Sequence, residues 1–207
     1  MWFWRDSFCS SLTEIASEAR NHSGWEPFGE YCDLQERGLR PQAMAVLNKF
    51  VLHLEAWPFD RRKIFVSWLL HRSDDRDGAN MLKPHQLLHK IVGPTLKEWV
   101  ALEPSASEPH RWLGGTVHLR RAIELDPEDL IARRLFIEHV VSFVRYSVHE
   151  LPIGYLGDPD DDLADLIAAQ AFAEEMPDTV DRDRACLAMR ELRNLVEGYL
   201  ASKSFAK

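Results

Sequence analysis

A chain of 207 residues, 45% of them hydrophobic, can bury one large core or two small ones, which excludes disorder as the default. Three widely spaced cysteines, Cys9, Cys32 and Cys186, form no Cys-x-x-Cys pair; they argue against a disulfide framework or a thiolate zinc site and for a reducing, cytoplasmic setting. The net charge of −8 disfavours a nucleic-acid backbone as partner, and no run approaches the roughly 18 apolar residues of a membrane span.

The N-terminal "MWFW" is apolar but is broken by Arg5 and Asp6, too short for a signal-peptide core. Apolar residues then recur at spacings of three and four, whereas no run of alternating β-branched residues occurs, so helix is the repeated expectation. Leu12, Ile15, Ala16 and Ala19 mark a first helix that ends before "NHSGWEPFGEY". Pro41 suits the first turn of a second helix, with Met44, Leu47, Phe50, Val51 and Leu54 as its stripe. Pro58 starts a third, carrying Ile64, Phe65, Trp68 and Leu69. "HRSDDRDGAN" reads as a loop, and Pro84 opens a helix that Gly93 and Pro94 should break or kink before Leu96 to Leu102 continue it. A helix closing on "AIELDP" and a longer one from about Pro127 to His149 follow, then the breaker cluster "LPIGYLGDP". Helices over Asp160 to Glu175 and Thr179 to Ala201 complete the set.

"TLKEWVALEP" (95–104) superposes on "HLRRAIELDP" (118–127), placing Leu96 on Leu119, Val100 on Ile123 and Pro104 on Pro127. "WLGG" at Trp112 to Gly115 adds a Trp beside a Leu-Gly pair. Over residues 95–136 the chain resembles the tetratricopeptide repeat family at its helix-to-helix proline. Its period is 23 residues against the family's roughly 34, and the family's Trp stands three residues before Leu-Gly instead of next to it. The resemblance implies a scaffold of helical hairpins that binds other proteins. The expected fold is all-α, an irregular or solenoid-like array of about eight or nine antiparallel helices with this hairpin in the middle. It forms a single domain over 1–207, subdivisible near 73–83 into 1–72 and 84–207.

Between Glu150 and Asp183 stand eleven acids and one base, Arg182, a net −10, so the remainder is slightly basic. Asp158, Asp160, Asp161, Asp162 and Asp165 are therefore the candidate contacts for a basic protein partner, with helix initiation as their structural alternative. His149 and Glu150, followed by Tyr155, form the candidate ligand site; adjacent residues on a helix diverge by about 100°, so the pair requires the helix to end there. His85 and His89 have two-histidine metal spacing, but Gln86 stands where a zinc protease has its Glu and no third ligand is indicated. "SDDRDGAN" and "DPDDDL" fail as calcium loops, because Pro84 and Ala169 occupy the twelfth positions where Glu is needed. No catalytic residue, metal or cofactor is assigned. The sequence thus points to a non-catalytic interaction module of adaptor or toxin-neutralising type, binding through a helical groove or the acidic C-terminal third. The alternative is an enzyme or small-ligand binder whose site is assembled from scattered His, Glu, Arg and Trp.

Overall fold

The computed structural model describes residues 12–74, 82–177 and 179–204. Of the loop expected over 71–80, residues 71–74 are instead the last turn of the helix Phe59–Asp74, and 75–80 lie outside the described residues, as do most of the calcium-loop candidate, the N-terminal "MWFW" and Cys9. Among the described residues all regular structure is helical, and the chain divides into two compact units, residues 12–104 and 105–204.

The first unit contains α1 (Leu12–Arg20), α2 (Glu26–Glu36), α3 (Arg40–Glu55), α4 (Phe59–Asp74), α5 (His85–Leu87), a π-helical turn (Leu88–Val92) and α6 (Gly93–Leu102). Helix α2 lies in the segment that spacing alone leaves unassigned. Pro27 sits in its first turn, and Phe28, Tyr31 and Cys32, at i, i+3 and i+4, bury one short face. That face meets Trp25, Phe50, Phe65 and Trp68 in an aromatic core; the Phe28 ring crosses Phe65 edge-on at 5.4 Å and Trp68 at 5.9 Å. Burial there pushes the Tyr31 phenol up to about 12. Ile64 departs from its expected place in the α4 stripe: it is 61% exposed, and Val66 is buried in that helix. The reason is phase, since α4 packs around Phe65, Val66, Leu69 and Leu70, a face to which Ile64 does not belong.

Gly93 and Pro94 do not stop the helix. Proline lacks the N–H for the carbonyl four residues back and its ring collides with it, and the turn just before Pro94 is widened to the π pattern. The helix then runs on to Leu102, held to α4 by Arg62–Glu98 at 2.7 Å and Lys63–Glu103 at 2.5 Å. Glu103 also accepts from the Trp99 indole at 3.0 Å; chiefly through the Lys63 bond, its carboxyl is held below the usual range.

The second unit contains α7 (Ser107–Leu113), α8 (Gly115–Leu125), α9 (Leu130–Ser147), α10 (Pro159–Glu174) and α11 (Val180–Ser204). The glycines of "WLGG" make the turn between α7 and α8: Gly114 and Gly115 have φ of +69° and +72°, a region costly for any side chain with a Cβ. Pro127 lies between α8 and α9, and Asp129 starts α9 by accepting from the Ala132 N–H at 2.9 Å. The core gathers Phe136, Ile137, Val140, Val141 and Val144 of α9 against Leu166 of α10 and Met189, Leu192 and Val196 of α11. Leu130 is on the rim of this face, 44% exposed.

Candidate functional site

The five aspartates of the acidic segment have distinct roles. Asp158 is the N-cap of α10, its Oδ1 accepting from the Asp160 N–H at 2.9 Å and the Asp161 N–H at 3.4 Å. Asp162 is 3% exposed and accepts from the Tyr155 hydroxyl at 2.6 Å. Asp165 pairs with Arg120 at 2.5 Å, tying α10 to α8. Asp160 and Asp161 remain exposed in the first turn, where their charge also favours the helix.

The ligand candidates separate into two places. Helix α9 ends at Ser147, so the geometry that keeps neighbours apart on a helix no longer applies, and His149 Nε2 meets Glu150 Oε1 at 2.9 Å. The other ring nitrogen, Nδ1, faces the Tyr146 carbonyl at 2.5 Å, which caps the end of α9. Tyr155 belongs elsewhere: its hydroxyl donates to Asp162 and its ring stacks on Tyr199 at 5.2 Å. Burial, with the adjacent carboxylate of Asp162, drives its phenol far above the usual value. Among the described residues no hydrogen bond, ion pair or ring contact joins Tyr155 to His149 or Glu150.

His85 and His89 bring their rings to 4.0 Å, with His89 inside the π turn, and no group of three potential metal ligands occurs among the described residues. Two imidazoles alone leave half of a tetrahedral zinc shell unfilled.

What spacing rules missed is a surface at the end of α9. Phe143 and Tyr146 recur on one side of the helix and His149 follows just past its end, with His139 stacked on Phe143 and His149 stacked on Tyr146. Phe143 is 50% exposed, Tyr146 63% and, in the loop beyond, Ile153 92%. Leu156 is also exposed, and Asp160 and Asp161 follow within the same stretch of chain. Val140, Val141 and Val144 fill the buried side of the same helix, so these residues are apolar without being core. The available signal was an apolar pattern wider than one helix face: both sides of α9 cannot point inward.

A second feature is a set of buried charges on α7 and α9. Arg111 and Asp129 pair at 2.7 Å, Arg134 and Glu138 at 3.3 Å, and Arg133 reaches Glu175 at 2.9 Å; apart from the exposed Glu175, all are buried. Beside them His110 and His118 bring their Nδ1 atoms to 3.0 Å. Burial, reinforced by His118 and Arg121, pushes the His110 imidazole below its ordinary value. The unfolded chain then takes up a proton near pH 6.5 that the folded chain resists, so this contribution to stability is present above pH 6.5 and is lost as pH falls below it. Urea melts at pH 7.5 and 5.5 should therefore show a smaller acid destabilisation in His110→Gln than in the parent; equal losses would refute this.

No family model, no curated protein and no solved structure matches the chain. Among the described residues no helix is long and apolar enough to cross a membrane.

Proposed function

We propose that the chain is a non-catalytic protein–protein interaction module, an adaptor or toxin-neutralising protein whose helical pairs serve as a tetratricopeptide-like scaffold. Its binding surface is the end of α9, and its partner is a basic protein segment carrying an apolar anchor. The observation that carries this reading is the exposure of three large apolar side chains at and just beyond the end of one helix, Phe143, Tyr146 and Ile153. Apolar groups clustered at a surface gain roughly 25 cal/mol for each Å² removed from water, and aromatic anchors dominate many interfaces. The acids that follow in the chain supply the sign: Asp160 and Asp161 are exposed, within a segment of net −10, and favour encounter with a basic partner. Asp158, Asp162 and Asp165 contribute through the local fold, since each is engaged within it.

The test is retention from an extract of the native host, comparing the parent, Phe143→Ser/Tyr146→Ser/Ile153→Ser, and a control with Leu52→Ser/Ile64→Ser. Exposed substitutions of this kind should change stability by only about 0.5 kcal/mol each. A basic protein held by the parent and the control, lost from the triple variant and released by raised salt, is the expected result. A partner indifferent to the triple change, or insensitive to salt, would refute the assignment.

A further inference from the structure

The first unit holds a cleft of 560 Å³ lined by α2, α3 and the turn before α2. Helix α3 contributes Val46, Lys49, Phe50 and His53, at i, i+3, i+4 and i+7, a single face. Helix α2 contributes Glu26, Pro27 and Glu30, and Gly24 closes the end. The Gly24 position is built tightly: its φ is +87°, and a Cβ there would come within 2.3 Å of the Arg61 guanidinium. Arg61 in turn donates to the Ser23 carbonyl at 2.8 Å and lies over the Trp57 ring at 3.7 Å, fixing the turn.

The charges in this cleft are not used by the fold. Glu26, Glu30 and Lys49 make no ion pair or side-chain hydrogen bond among the described residues, and His53 makes only a ring contact with Trp57. Two carboxylates thus come from one helix and two nitrogen donors from the other, with the half-buried Pro27 and Val46 as apolar lining and only the edge of the buried Phe50 ring reaching the cleft. A ligand that matches this lining carries an ammonium toward Glu26 and Glu30, a carboxylate toward Lys49 and His53, and an apolar body on Pro27 and Val46.

We propose that this cleft binds a small zwitterion with an apolar body, the chemistry of a short hydrophobic peptide with both termini free. A net cation would meet Lys49 and a net anion would meet two carboxylates, whereas a zwitterion satisfies both helices. The volume falls within the range of small-ligand sites, roughly 300–1,000 Å³, and accommodates two or three residues.

The experiment titrates the full chain with leucyl-phenylalanine, its N-acetyl derivative, its C-terminal amide and the tripeptide leucyl-leucyl-phenylalanine, following backbone amide resonances and heats of binding. A free peptide should shift amides of residues 24–30 and 46–53 saturably, with each blocked form at least tenfold weaker. Glu30→Gln should narrow the preference over the N-acetyl form, and Lys49→Met the preference over the amide; both side chains are exposed, and circular dichroism checks that the helices persist. Absence of saturable shifts with both free peptides, shifts confined to other residues, equal binding of blocked and free forms, or variants that discriminate like the parent would each overturn the proposal.

Discussion

Asp129→Ala is expected to destabilise the second unit by about 3–5 kcal/mol, a large fraction of the roughly 5–15 kcal/mol that holds an ordinary domain. Two losses coincide. Asp129 Oδ1 accepts from the Ala132 N–H at 2.9 Å, a cap whose removal costs on the order of 1 kcal/mol. Its Oδ2 pairs with Arg111 at 2.7 Å, where the side chains are only 3% and 10% exposed. Removing the carboxylate leaves a guanidinium short of its closest counter-charge in a site with little water. The double variant Arg111→Met/Asp129→Asn should recover most of the pair's share, because it retains a capping oxygen and buries no charge. Denaturant melts of the parent and both variants measure this; a single variant less than 1 kcal/mol below the parent would show that the pair is solvated.

The second large effect is expected in the first unit, where Phe28→Ala should cost about 3–5 kcal/mol. Phe28 is fully buried and its ring meets Tyr31, Phe50, Phe65 and Trp68 at 5.4 to 6.1 Å. Truncation removes the buried ring, the edge-on contacts to Phe65 and Trp68, and leaves a void that rigid aromatic neighbours cannot close. Phe143→Ala, the same chemical change at a half-exposed position of α9, should fall within about 0.5 kcal/mol of the parent. Similar losses for the two would mean that Phe28 is not the centre of this core.

The helical class was legible because helix formation is written in local spacing. Leu47, Phe50, Val51 and Leu54 recur at three and four and are all buried in α3, and Pro41, Pro58 and Pro84 stand at helix starts, where a missing N–H costs nothing. The turn at Gly114 and Gly115 rests on equally local chemistry, since only glycine takes positive φ cheaply. Helix α2 escaped because its buried face is just Phe28, Tyr31 and Cys32, too short a period to register beside a proline and a glycine.

Packing partners were not legible, because they lie far apart in the chain. Nothing local says that Arg111 meets Asp129 or Arg120 meets Asp165, and each contact converts a residue that looks solvated into part of the framework. The aromatic end of α9 shows the converse. Its sequence gives apolar residues on more than one side of a helix, but only the positions of α10 and α11 decide that Val140, Val141 and Val144 go inward while Phe143 and Tyr146 stay in water. Local spacing sets where a helix forms and that it has an apolar face; which apolar side is covered, and which charges are paired, depends on neighbours brought up by the chain's long-range path.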